Sequence, residues 1–189
     1  MKKLFLTTSI LCAALLAREN GVYVELAGGV DTADRIETHG ITYKYEKSYF
    51  YEAMIGYEYD LFRIEYQYRG FNASVYRFLD YAASGDVSID SHMVDLYYSG
   101  YNDTQFVTSL GIGIGTADVS MTNVKELAYP VADKTQGNVF AYQGMLNIGY
   151  MIDEHMTLSM RYSYFATLKG DDFEATSQHL LGIGFRYLF

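Results

Sequence analysis

The residues of this chain that could do chemistry are few, and most are charged. Glu25, Glu52, Arg63, Glu65, Arg69, Asp95, Arg161 and Arg186, with Glu58, carry both signs, and each sits in a run where alternate residues are apolar or aromatic. Side chains of a strand alternate between two faces. The charged residues therefore share faces with Gly, Ser, Thr, Asn and Gln, and with almost no Lys, which is not the make-up of a solvent face. Guanidinium forks match carboxylates in shape and charge. The chemistry this pattern predicts is ion pairing on a crowded inner wall: a lumen network of Glu25, Glu52, Arg63, Glu65, Arg69, Asp95, Arg161 and Arg186.

Other chemistry is poorly served. His39, His92, His155 and His179 are scattered, so no metal site is expected. Gly111-Ile112-Gly113-Ile114-Gly115 lies within a strand pattern and not at a strand-to-helix turn, so it is not a phosphate loop. The formal net charge of −9 argues against nucleic acid as a partner. The single cysteine, Cys12, falls in the first residues, which leaves no disulfide or thiol chemistry for the rest. Neither a cofactor nor an enzymatic activity is expected.

The elements that position these residues follow from the alternation. Lys2 and Lys3, the apolar run 4–16 and Ala17 read as a signal peptide over 1–17, leaving one domain over 18–189. A lipid anchor at Cys12 is the rival, and Ser9-Ile10-Leu11 fits it poorly. Strands are expected at 21–30, 49–59, 62–70, 91–101, 105–115, 138–151, 156–164 and 179–189. Between them lie long loops at 31–48, 71–90, 116–137 and 166–177, and short turns at Asp60-Leu61, Asn102-Asp103-Thr104 and Asp153-Glu154-His155. Eight strands of about 9–11 residues, joined by long and short links in turn, suit a bilayer crossed at a tilt. The fold class expected is all-β: an eight-stranded antiparallel up-and-down transmembrane β-barrel.

Arginines decide which face looks outward. One facing the mid-bilayer costs about 2–4 kcal/mol, so Arg63, Arg69, Arg161 and Arg186 must point inward. The 20 Tyr and absence of Trp make Tyr the interfacial residue. Tyr57, Tyr59, Phe62, Tyr101, Phe106, Tyr150, Tyr187 and Phe189 are expected in one girdle. Tyr51, Tyr68, Phe140, Tyr142, Tyr162 and Tyr164 are expected in the other.

The last stretch, H-L-L-G-I-G-F-R-Y-L-F, places Phe185, Tyr187 and Phe189 on one apolar face and ends on an aromatic. It resembles the C-terminal signal of bacterial outer-membrane barrels, which the assembly machinery reads. Over 18–189 the chain resembles the small eight-stranded outer-membrane family: outer-membrane protein X, the membrane domain of outer-membrane protein A, and the opacity and surface-antigen proteins of the "porin family". The resemblance implies a monomer in the cell outer membrane with a lumen braced by ion pairs. Its partners would be outer-membrane lipids, the barrel-assembly machinery, and host or cell-surface ligands met through loops 31–48, 71–90, 116–137 and 166–177. Its role would be structural or surface-interacting, as an adhesin or surface antigen. Tyr76, Phe78, Leu79 and Tyr81, and Leu127, Tyr129, Pro130 and Val131, are loop residues that either meet such ligands or pack on each other.

Lipid A deacylases of this architecture carry His and Ser two apart. Here the four histidines are followed by Ile41, Val94, Thr157 and Leu181. No peptidoglycan-binding stretch is expected after the barrel, so an anchoring role of the outer-membrane protein A kind is not implied. Two further readings stay open: a narrow channel for small solutes, and a soluble periplasmic lipocalin-like carrier, whose apolar face would point inward.

Overall fold

A computed structural model describes residues 20–32, 35–38, 41–45, 48–78, 81–101, 104–126, 130–170 and 175–189. The expected signal peptide lies outside them. So do the side chains of Tyr76, Phe78, Leu79, Tyr81, Leu127, Tyr129, Pro130 and Val131.

The strands are β1 (Gly21–Asp31), β2 (Arg35–Thr38), β3 (Ile41–Tyr45), β4 (Ser48–Tyr59), β5 (Phe62–Phe78), β6 (Tyr81–Tyr101), β7 (Phe106–Glu126), β8 (Pro130–Met151), β9 (Met156–Thr167) and β10 (Ser177–Leu188). β1 and β4 to β10 form the barrel, each antiparallel to its neighbours. The wall closes where β1 pairs with β10, with Val24 opposite Tyr187 and Ala27 opposite Gly184. Closure leaves no bare sheet edge in lipid. β2 and β3 form a small hairpin in the first long link, and β3 pairs with the far end of β5.

Two expected loops are mostly strand. Over 71–90, β5 runs on to Phe78 and β6 begins at Tyr81; over 116–137, β7 reaches Glu126 and β8 begins at Pro130. The physical reason is a change of sign in the pattern. Phe71, Ala73, Val87, Ile89, Ala117 and Val119 are buried inside, while Asn72, Ser74, Asp86 and Ser120 face outward. These strands leave the lipid here, so their outer face turns polar and their inner face apolar. Pro130 opens β8, where a missing ladder donor is tolerated. The link 31–48 also differs from expectation, since it holds β2 and β3, whereas the described residues 168–170 and 175–176 between β9 and β10 carry no strand.

The opposite end turns tightly. Tyr59 pairs with Phe62 around Asp60 and Leu61. Asp60 has φ 53°, a left-handed geometry that Asp tolerates, and its N–H donates to Asn20 Oδ1 at 2.7 Å. Between β8 and β9, Asp153 Oδ1 accepts from the backbone N–H of His155 at 2.8 Å and of Met156 at 2.7 Å, a local turn closed by its own side chain.

The belt between the two ends is apolar outside. Ile64, Leu158 and Ile183 are 53, 46 and 61% exposed, against 1, 3 and 4% for Arg63, Arg161 and Arg186. Aromatics pair at the tight-turn end of this belt: Phe106 meets Tyr150 edge-on at 5.3 Å, and Tyr187 meets Phe189 at 5.1 Å. Tyr101 departs from the expected girdle. It is buried, with Leu61 and Val107, inside the barrel, because it shares the inward parity of Tyr97 and Ser99 on β6. Its hydroxyl donates to Glu58.

Candidate functional site

The lumen is layered. The middle layer holds the charges, and its side chains come from β1, β4, β5, β6, β8, β9 and β10. β4 and β5 place Glu52 and Arg69 in register, and Arg69 Nε donates to Glu52 Oε1 at 2.7 Å. Arg161, from β9, is the hub: Nη1 lies 2.7 Å from Glu25 Oε1 of β1, Nε 3.5 Å from Glu52 Oε2, and Nη2 3.7 Å from Glu65 Oε1. Arg186, from β10, reaches Glu58 Oε2 at 2.9 Å and Glu25 Oε2 at 3.8 Å. Arg63 reaches Glu65 Oε2 at 3.6 Å along its own strand. All of these side chains are buried. Buried ions of one sign would be prohibitive, whereas paired ones are tolerated.

Asp95 stands apart from the arginines. It accepts from Gln143 Nε2 at 2.7 Å, and Gln143 also donates to Gln67 Oε1 at 2.7 Å while accepting from Arg69 at 2.8 Å. Glutamines thus link Asp95 to the ion pairs across the lumen. Four participants had no charge or clear motif to announce them: Tyr23, Tyr97, Gln67 and Gln143. The Tyr23 hydroxyl donates to Glu65. Arg161 Nη2 donates to the Tyr97 hydroxyl at 3.2 Å, and Arg63 lies 4.1 Å from the centre of the Tyr97 ring. Inward parity was the signal that could have found them. Glu58, which shares that parity, joins through Arg186 and Tyr101.

Inward glycines of β7 make room for this layer. A Cβ at Gly113 would stand 1.7 Å from Asp95 Oδ1, and one at Gly111 would stand 2.5 Å from the Tyr97 ring. The β6 side chains lie across β7 where it has no side chains of its own.

Apolar layers close both ends. Towards the long strands, Phe50, Phe71, Met93, Phe165 and Leu180 pack with Val87, Ile89, Val119 and Val139. The expectation of a polar inner face holds only for the middle layer, since the outer half needs an apolar core where its strands stand in water. Towards the tight turns, Leu61, Tyr101 and Val107 pack with Met151. Phe185, Tyr187 and Phe189 all face outward on or beside β10. Among the described residues no three metal-ligating side chains come together. His92 and His179 face outward, with the Tyr66 hydroxyl 2.6 Å from His92 Nδ1 and the Tyr162 hydroxyl 2.8 Å from His179 Nδ1.

A closed antiparallel barrel with a greasy belt, aromatic ends, buried ion pairs and short turns at one end is a transmembrane β-barrel of the outer-membrane type. The outward apolar face overturns the reading as a soluble lipocalin-like carrier. The chain belongs to the outer membrane protein beta-barrel domain family, which it matches over residues 4–189, and this places it in the cell outer membrane. No curated protein sequence matches it. Among solved structures it is similar to Neisserial surface protein A (14% identity, TM-score 0.67, covering 91% of this chain and 100% of that one). It is also similar to the outer membrane protein OprG of Pseudomonas aeruginosa (14%, 0.58, 92% and 99%). A third is Ail, the attachment invasion locus protein of Yersinia pestis, solved with the heparin analogue sucrose octasulfate (11%, 0.53, 89% and 99%). At these identities the likeness is one of fold.

Proposed function

We propose that this protein is a non-enzymatic, monomeric outer-membrane barrel with a structural and surface-interacting role, acting as an adhesin or surface antigen with a lumen that does not conduct. The observation that carries this reading is the three-layered interior. An eight-stranded barrel is just wide enough for side chains to fill, and here ion pairs span the middle while apolar clusters occupy both ends. The long strands β6, β7 and β8 raise one wall beyond the greasy belt and present it to the exterior. Ail, the attachment invasion locus protein of Yersinia pestis, shares the fold and supports a surface role without naming a ligand for this chain.

In this reading residues 1–17 are removed as a signal peptide, 18–189 form the mature barrel, and Phe185, Tyr187 and Phe189 are the strand face that the assembly machinery recognises. The network Glu25, Glu52, Arg63, Glu65, Arg69, Asp95, Arg161 and Arg186 braces the wall. Planar-bilayer recording tests the closed lumen: no stable conductance is expected, and steady large openings would replace this reading with the narrow channel. Cell-binding assays with barrels whose 31–48, 71–90, 116–137 and 166–177 segments are exchanged test the surface role. Binding equal to that of the parent would remove it.

A further inference from the structure

Above the outer girdle the barrel carries a concave site of mixed polarity on its outer wall. Tyr49 of β4 stands opposite Asn72 of β5, and Asn72 opposite Ser88 of β6. One row further out, Ser74 stands opposite Asp86, and Asp86 opposite Thr122 of β7. The residues between them in sequence, Ala73 and Val87, are buried within the barrel, so these six side chains share the outward face. With Ala73 and Val87 they line an open hollow of about 440 Å³, within the usual range for small-molecule clefts. The register shifts between Val75 and Arg77 on β5 and between Ser84 and Asp86 on β6. Such bulges bend a strand and re-aim its side chains, which accounts for a hollow on a convex wall.

The chemistry of the lining is specific. Tyr49 is 66% exposed and offers an amphipathic ring face. Asn72, Ser74, Ser88 and Thr122 offer both donors and acceptors. Asp86 is the one charged residue among the described residues lining the hollow. Ser74 Oγ donates to Asp86 Oδ1 at 3.2 Å, which orients the carboxylate and leaves its second oxygen as an acceptor. An aromatic platform facing hydroxyls, an amide and a carboxylate suits a ring that is apolar on one face and bears hydroxyls at its edge. The negative charge disfavours sulfated or phosphorylated rings.

We propose that this hollow binds a neutral saccharide. Its height supports a saccharide carried on lipid. Nearer the belt on the same strands lie Tyr51 and Tyr68, with the Tyr68 hydroxyl donating to Asp90 Oδ1 at 2.7 Å, a height that suits the sugars of an outer-leaflet glycolipid. The proposal deepens the surface-interacting reading and does not depend on whether the lumen conducts.

The test uses the full barrel in amine-oxide micelles, which contain no sugar, with lactose and maltose as probes in saturation-transfer-difference NMR. Binding is expected, and Tyr49→Ala and Asp86→Ala should each weaken it at least tenfold. Tyr59→Ala, at the opposite end, should leave it unchanged. Heat-modifiable gel mobility verifies that every variant folds. Equal binding by the parent and both variants overturns the proposal, as does tighter binding of sucrose octasulfate than of the neutral sugars. Nanodiscs with and without a neutral galactolipid name the source. If the galactolipid suppresses the soluble-sugar signal, the site takes membrane-anchored saccharide; an unchanged signal assigns it to soluble saccharide. Loss of cell binding on segment exchange, with Tyr49-dependent sugar binding retained, keeps the two readings separate.

Discussion

Replacing Arg161 with Met should be among the most damaging single changes in the lumen. The guanidinium lies 2.7, 3.5 and 3.7 Å from Glu25, Glu52 and Glu65. At an effective dielectric of about 20, each such contact is worth roughly 4–6 kcal/mol of attraction. Removing the buried cation returns several kcal/mol of desolvation. The three carboxylates also keep other partners: Arg186 at 3.8 Å from Glu25, Arg69 at 2.7 Å from Glu52, and Arg63 at 3.6 Å from Glu65. The net loss expected is therefore about 3–5 kcal/mol, the usual cost of breaking a buried pair from one side, against a total stability of ~5–15 kcal/mol. Urea unfolding of vesicle-inserted barrel, followed by tyrosine fluorescence and far-UV circular dichroism, measures it. The double variant Arg161→Met with Glu25→Gln removes the closest stranded charge. It should recover part of the loss, with a coupling energy of about 0.5–3 kcal/mol. A loss under about 1 kcal/mol for Arg161→Met, or no coupling with Glu25, would refute the view that these charges brace the wall.

Three further substitutions test the inside and the outside of the same wall. Gly113→Ala places a Cβ 1.7 Å from Asp95 Oδ1 and must displace the carboxylate from Gln143, for an expected loss of about 1–3 kcal/mol. Gly144→Ala, with nothing within 4 Å of its Cβ, should stay within about 0.5 kcal/mol of the parent in the same unfolding assay. Met160→Arg puts a charge at a belt position that is 70% exposed. A loss of about 2–4 kcal/mol is expected for lipid-facing arginine, and a stability equal to the parent's would place this residue outside the hydrocarbon.

Much of this protein could be read before any coordinates. Period-two alternation is a local property, so the eight crossings, their antiparallel order and the inward direction of Arg63, Arg69, Arg161 and Arg186 follow from residue order and the cost of charge in lipid. Where the surroundings change from lipid to water the same logic misleads. The described outer residues of β5 to β8, such as Asn72, Ser74, Asp86 and Asn138 outside and Ala73, Val87, Val119 and Val139 inside, reverse the belt's pattern, so 71–90 and 116–137 read as loops. Tyr101 shows a narrower version: an aromatic near a strand end could face either way, and its parity on β6 puts it inside.

Which carboxylate meets which arginine lay beyond reach of the sequence. Arg161 and Glu25 are separated by most of the chain, and they meet only because β10 closes on β1 in one register. Gln143 bridges Asp95, Gln67 and Arg69 for the same reason. The outer-wall hollow likewise needs four strands in register and two bulges. Composition and alternation determined that a charged interior and an oily skin would exist, since both follow from what water and lipid exclude. The pairing inside and the hollow outside were decided by closure of the wall, because long-range register alone brings distant side chains within hydrogen-bonding distance.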